Sequence, residues 1–213
     1  VADPIEEPLN VYDAAGNVVG AKARAEAKRS GLAVGAVQVL LVNARGEVLL
    51  QRRPADKENG GLWDKSVGGH VGAGEDFDAT AVREAGEELF DDGRSPRVVL
   101  ASGEEEFRDR LAALDLRERV VFRRASLALN LRDVRHAPER SGVRVVVYHV
   151  AVYLGRTDVA LEAFRPQRSE IAELRYAPAP EVDGYLLKGE LAPNMAFLWL
   201  THGHRLLRSG ALE

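Results

Sequence analysis

The sequence predicts an α/β fold built on a mixed β-sheet, and three observations carry that prediction. Short apolar runs of strand character alternate with stretches of helical periodicity, in mixed order. Two compact turn signals, Asp13-Ala-Ala-Gly16 and Asn43-Ala-Arg-Gly46, join neighbouring strand candidates as hairpins. No repeat, low-complexity tract or linker divides the 213 residues, so a single domain is expected over 1–213, with an N-terminal hairpin and short helix in 1–31.

In chain order, Leu9–Tyr12 and Asn17–Gly20 flank the first turn, and Arg24–Ser30 reads as a short helix closed by Gly31. Val37–Val42 and Glu47–Arg52 read as paired strands around the second turn, and the polar, glycine-containing residues 53–63 as loop. Val98–Leu100 is a strand candidate. Glu104–Leu116 reads as an amphipathic helix, with Phe107, Leu111 and Leu114 at spacings of four and three and the acidic run Glu104–Glu106 as its start. Val120–Leu131 and Val143–Leu154 are long strands joined by the charged segment Arg132–Gly142. Residues 155–180 carry Pro166, Pro178 and Pro180 and read mostly as loop, with Ile171–Tyr176 a short strand. Asn194–Leu207 reads as the C-terminal helix.

Composition narrows the function. A hydrophobic content of 46% and a charged content of 29% are those of an ordinary globular chain. A formal charge of −4 gives no basic footprint, which argues against duplex nucleic acid or a membrane as the main partner. An anionic substrate must then be drawn in locally, by a metal ion or a few arginines. With no cysteine there is no disulfide, thiolate nucleophile or Cys-based zinc site. The acidic, proline-bearing start Val1–Pro8 is unlike a signal peptide, and no apolar run nears the length of a membrane span. A cytoplasmic location is expected.

The segment Gly69–Phe90 carries the chemistry. Asp76 is a plausible N-cap for a helix, with Asp78 in its first turn, where the dipole favours negative charge. At about 100° per residue, Val82, Gly86, Leu89 and Phe90 form the side to bury. Glu84, Glu87 and Glu88 crowd another arc, and Arg83 can reach Glu87 or fold back to Glu75. Such crowding costs only a few tenths of a kcal/mol in water, so a solvated surface helix tolerates it. It equally suits a hard divalent cation such as Mg²⁺ or Mn²⁺, which seeks oxygen ligands.

The spacing decides between these. Gly69, five residues, Glu75, seven residues, Arg83-Glu84, Ala85, Gly86, Glu87-Glu88 resembles the Nudix box, Gly-x5-Glu-x7-Arg-Glu-U-x-Glu-Glu-x-Gly-U, with U an apolar residue. Six specified positions match; at roughly one in fifteen each, a chance match at a given start is on the order of 10⁻⁷. The box glycine is replaced by Phe90 and the closing apolar residue by Asp91. The helix is therefore expected to run on toward Gly93 with the Phe90 ring buried. Further stretches, among them Leu49–Arg53, Gly61–His70 and Ser169–Tyr176, look like the branch related to type I isopentenyl-diphosphate isomerase, whereas 91–142 shows no such likeness.

The resemblance implies a Nudix fold, a mixed sheet sandwiched between α-helices, with a core over 32–213 and a variable region at 91–142. It implies a metal-dependent hydrolase cleaving the pyrophosphate bond of a nucleoside diphosphate linked to another moiety. Mg²⁺ is the expected cofactor, with Mn²⁺ a substitute. Glu87 and Glu88 would be the main ligands, Glu84 a third ligand or the base, and the Gly69 carbonyl a further ligand. Glu75 and Arg83 would form a structural salt bridge, and glycines 69, 72 and 74 would let the backbone pass close to the metal. Glu170 is a candidate additional catalytic carboxylate or a plain strand-start residue. Arg52 and Arg53 alternate faces, so at most one reaches a substrate phosphate, and Trp63 is a candidate for base stacking or for packing. His70 is expected to make a structural hydrogen bond, and His202 and His204, two apart on a helix, to be solvated.

Isomerisation is disfavoured. The isomerases carry a catalytic Cys at the position of Gly68, a His-Arg pair at Val34-Gly35, and often a His at Gln38. The alternative to a hydrolase is a catalytically weak Nudix-fold protein that binds a nucleotide as a sensor. A homodimer is compatible with the resemblance.

Overall fold

The protein is described here by a computed structural model covering residues 7–137 and 142–203. β1 (Pro8–Tyr12) pairs antiparallel with β2 (Val18–Ala23) across the Asp13–Gly16 turn, and α1 (Arg24–Arg29) follows. Then come β3 (Ala33–Val42), β4 (Val48–Arg52), β5 (Trp63–Asp64), β6 (Val67–His70), α2 (Phe77–Phe90), β7 (Val98–Ala101) and α3 (Glu104–Ala113). β8 (Val120–Ala137), β9 (Gly142–Arg156), β10 (Glu173–Ala177), α4 (Ala179–Leu187) and α5 (Pro193–Leu198) complete the chain. The sheet runs β10-β4-β3-β9-β8-β7, parallel at β3/β9 and β7/β8 and antiparallel elsewhere, so it is mixed as expected.

β3 forms the centre because both its faces are apolar, the pattern of a strand covered on both sides. Val37, Val39 and Leu41 point to one face, with Ala151 and Tyr153 of β9, and meet Ala81, Ala85 and Leu89 of α2. Leu40 and Val42 point to the other, with Val150 and Val152, and meet Val182 of α4 and Met195 and Leu198 of α5. The period-two alternation of a strand thus feeds two separate cores. The buried stripe of α2 centres on Ala81, Ala85 and Leu89, one step round from the expected Val82, which is only partly buried.

The Asn43–Gly46 hairpin holds only at its base, where Val42 faces Val48. Beyond it β3 takes β6 as its neighbour, from Val39↔Val67 to Ala36↔His70, while β4 takes β5. The buried Ser66 hydroxyl spans the fork, accepting from Leu41 N–H at 2.9 Å and donating to the Leu49 carbonyl at 2.6 Å. It satisfies two backbone groups that the parting strands would otherwise leave buried and unpaired. The fork opens the cleft in which the candidate site lies.

Other expectations are corrected. β8 runs on through much of the charged segment expected to be a connection, to Ala137. α4 was not expected at all: Pro178 and Pro180 read as breakers, yet Pro178 is its N-cap and Pro180 lies in the first turn, where no N–H partner is lost. α2 stops at Phe90 and does not reach Gly93. Asp91 takes the left-handed position (φ 54°), with its N–H on the Glu87 carbonyl at 3.1 Å and the Asp92 N–H on the Gly86 carbonyl at 3.0 Å. The Phe90 ring is buried as expected, 5.6 Å from the Phe164 ring and with the Arg97 guanidinium 4.2 Å from its centroid. α5 passes into a wider helical turn at Trp199–Gly203; residues 204–207 of the expected helix, His204 included, lie outside the described residues. No helix among the described residues is long and apolar enough to cross a membrane.

Candidate active site

α2 is aimed by its N-terminus. Asp76 Oδ1 accepts from Ala79 N–H at 2.7 Å, a side-chain cap, and Thr80 Oγ1 donates to Glu75 Oε2 at 2.8 Å. Asn10 of β1 braces the loop, donating to the Glu75 carbonyl at 2.8 Å and accepting from Gly74 N–H at 3.0 Å. With Ala81, Ala85 and Leu89 fixed in the core, Glu84 and Glu88, one turn apart, face the cavity together with Glu87.

Arg83 is the hub of the acidic cluster. Its Nε and Nη2 pair with the two oxygens of Glu75 at 2.8 and 3.0 Å, its Nη1 with Glu87 at 2.8 Å, and its Nη2 also with Glu84 at 3.0 Å. Glu88 has weaker partners: its Oε2 accepts from Gly68 N–H at 3.2 Å and from Gln51 Nε2 at 3.4 Å. Burial raises the Glu84 carboxyl to about 7, Arg83 opposing and Glu87 adding to the shift. Burial, then the charge of Glu84, pushes Glu88 well above the usual carboxylate range. Two carboxylates are thus held in a dry wall with too little positive charge nearby.

That arrangement fits a divalent cation without yet gripping one. Among the described residues no three His, Asp or Glu side chains are already gathered as an ion-holding group. Arg83 draws off Glu87 and part of Glu84 instead. The fit lies in the all-oxygen donors, the uncompensated charge and the backbone opposite. A Cβ at Gly69 would lie 2.1 Å from the Glu84 carboxyl, so only glycine lets that carboxylate approach the strand.

The cavity of ≈ 490 Å³ brings the carboxylates together with some of the other candidates and not with others. Arg53 lines it, anchored by Nε–H to the Glu58 carbonyl at 2.7 Å and 3.4 Å from Asp64. Arg52 turns away, donating to the Gly61 carbonyl at 3.0 Å and lying 5.7 Å from the centroid of Trp63. Trp63 is 6% exposed and packs against Tyr185 at 5.6 Å, so it is a core residue and not a base platform. Glu170 lines the cavity from a turn ahead of β10, its carboxylate 2.8 Å from Lys57 Nζ.

The histidines also depart from expectation. His70 lines the cavity, but its Nε2 is buried without a hydrogen bond. Burial, reinforced by Lys28, Arg24, Lys65 and Arg53, keeps the ring neutral. His202 is not simply solvated: Nε2 lies 3.0 Å from Ser126 Oγ and Nδ1 2.8 Å from Thr201 Oγ1.

Sequence reasoning missed Gln51, Lys65 and Tyr148. Tyr148 lines the cavity from β9, directly opposite Leu131 of β8, with its ring 5.9 Å from His70. Nothing in a strand of alternating apolar residues marks it out. Arg24 and Lys28 also line the cavity, and their spacing of four on α1 was a legible signal of a shared face.

Comparison with known proteins follows the same line. A model of the NUDIX domain matches residues 32–196. Isopentenyl-diphosphate Delta-isomerase 2 of Photorhabdus laumondii is 34% identical over 86 residues, 40% of this chain and 49% of that one. An uncharacterised Nudix hydrolase of Pseudomonas aeruginosa is 42% identical over 72 residues, 33% of this chain and 43% of that one. The chain spans about half the length of the curated relatives it matches. A crystal structure of a Deinococcus radiodurans protein superposes with a TM-score of 0.59 over 95% of this chain and 98% of that one, at 20% identity, a likeness of fold alone. With its box residues on one loop and helix, and the domain model matching most of its length, the chain belongs to the Nudix hydrolase family and has the Nudix fold.

Proposed function

We propose that this protein is a metal-dependent pyrophosphohydrolase that cleaves a nucleoside diphosphate linked to another group. The observation that supports this best is the pair Glu84 and Glu88, held in a cavity wall and pushed toward protonation by burial, Glu84 also by Glu87 and Glu88 also by Glu84. Nothing structural is gained from such a pair, whereas a divalent cation relieves it. Glu88, Glu84, Glu87 once released from Arg83, and the Gly69 carbonyl would hold Mg²⁺ or Mn²⁺. When bound, the metal supplies charge neutralisation and a more acidic water.

The remaining duties fall to the chain. Arg83 and Glu75 fix the loop against α2 so that the carboxylates keep their aim. Arg53, tied to its own loop, offers a guanidinium to a substrate phosphate. Glu170, exchanging Lys57 for water, would accept a proton in the same cavity. Tyr148 takes over from Trp63 as the aromatic against which a base would lie.

The test is turnover of a panel of nucleoside diphosphate derivatives with Mg²⁺ or Mn²⁺, by wild type and by Glu88→Gln. The reading requires activity in the wild type and its loss in the variant. No turnover by wild type on any member, or undiminished turnover by Glu88→Gln, overturns it. Nucleotide binding without turnover would replace it with a sensor role.

A further inference from the structure

Lys65 stands between β5 and β6 in the wall of the cavity, 5% exposed. Its alkyl chain passes against Gly68. A Cβ at residue 68 would lie 2.2 Å from Lys65 Cε and 3.0 Å from Nζ, so the absent side chain is what makes room for the ammonium group. Nζ donates to Asp64 Oδ1 at 3.0 Å, and the Lys65 backbone N–H donates to the same oxygen at 2.9 Å. Asp64 also faces Arg53 at 3.4 Å. One buried carboxylate therefore serves two cations, and the Lys65 ammonium lies close enough to the acidic cluster for its charge to act on Glu88.

A purely structural origin explains this poorly. A buried ion pair stabilises a fold no better than a well-packed apolar residue. Among the described residues Asp64 is the acceptor for Lys65 Nζ, while an ammonium carries three donors. Gly68 also donates its N–H to Glu88 at 3.2 Å. The ammonium and a carboxylate of the acidic cluster thus flank the same residue, and a group that meets both through a cation must be small and anionic.

We propose that Lys65 is a phosphate-binding residue of this site. Its ammonium, seated in the space left open at Gly68, donates to a non-bridging oxygen of the diphosphate, and Asp64 is the positioning residue that aims it. The assignment rests on the pyrophosphohydrolase reading above. It also gives Gly68 a purpose of its own: the small residue at this position exchanges a side chain for a fixed positive charge.

The probe is Mg²⁺-imidodiphosphate, followed by calorimetry beside turnover of the best substrate in the panel. Lys65→Met keeps the length of the chain and removes the charge. It should weaken probe binding and lower kcat/KM by roughly 10- to 100-fold, the range for a lost charge-assisted hydrogen bond, with thermal stability retained. Gly68→Ala, which displaces the Lys65 chain, should give a similar loss, and the double variant should be no worse than either single one. Wild-type binding with unchanged binding by Lys65→Met overturns the Lys65 assignment alone. Loss of binding that only follows a lower melting temperature, or additive losses in the double variant, also overturns it. Neither binding nor turnover by the wild type overturns the hydrolase reading and the assignment with it.

Discussion

Replacing Glu84 by Gln should stabilise the metal-free protein at neutral and higher pH. In the folded state the Glu84 carboxyl is raised from 4.5 to about 7, first by burial and then by Glu87, against the opposing charge of Arg83. In the unfolded chain it titrates at the ordinary value. Below about pH 4.5 both states hold the proton and the group has no effect on stability. Between that pH and about 7 the unfolded state has released its proton and the folded state has not, so stability falls as pH rises; above about 7 the loss is complete. The size of the shift corresponds to about 3 kcal/mol. For a chain of this length that is a melting-point difference of about 6–12 °C. The assay is a series of thermal melts in EDTA from pH 5 to pH 8.5, wild type against Glu84→Gln. The variant should gain progressively toward high pH and gain only about a quarter of the full difference at pH 5. Adding Mg²⁺ at pH 8 should raise the wild type more than the variant, because binding to the folded state relieves the same repulsion. A variant that melts at or below the wild-type temperature at pH 8 in EDTA would refute the idea that Glu84 is an electrostatic liability awaiting a cation.

Four further outcomes follow from particular contacts. Gly69→Ala puts a methyl group on the Glu84 carboxyl, so it should fold but lose roughly 10- to 100-fold in turnover and most of its Mg²⁺-dependent melting shift. Asp91→Gly relieves a left-handed non-glycine residue and should raise stability by about 1 kcal/mol in urea unfolding, whereas Phe90→Gly, which restores the box residue, should lower it by about 3–5 kcal/mol through the lost ring packing. His149, fully buried, accepts from Asn130 N–H at Nδ1 (3.0 Å) and so donates from Nε2 to the Asp13 carbonyl (2.8 Å); His149→Leu strands both partners and should cost about 2–5 kcal/mol, with KM unchanged in the folded fraction.

Elements dictated by local chemistry were readable in advance. The Asp13–Gly16 turn, the Asp76 cap and the Glu104–Glu106 helix start need only neighbours in sequence, and the structure has each of them. Elements that depend on distant partners were not. The Asn43–Gly46 turn is present, but the strands it joins separate because β6 offers β3 a better-matched edge and Ser66 closes the fork. α4 was hidden by prolines whose effect depends on their falling in the first turn and not the interior. The helix end at Asp91 was misjudged because the Phe90 ring has a pocket, between Phe164 and Arg97, that lies far away in sequence.

The sequence by itself determined the grouping of the acidic residues of the candidate site. Gly69, Glu75, Arg83, Glu84, Glu87 and Glu88 sit on one loop and one helix, so their spacing alone sets their mutual geometry. It also determined the family, since that spacing is too long to arise by chance. Only the tertiary structure decided what faces those carboxylates. Arg53 lines the cavity whereas Arg52 turns to the Gly61 carbonyl, and Tyr148 lines it whereas Trp63 packs against Tyr185 of α4, placements that no local pattern encodes. Lys65 is the clearest case. Its place beside the acidic cluster needs the missing side chain of Gly68, which the sequence supplies, and a buried Asp64 beside it, which arises only when β5 pairs with β4 and β6 with β3.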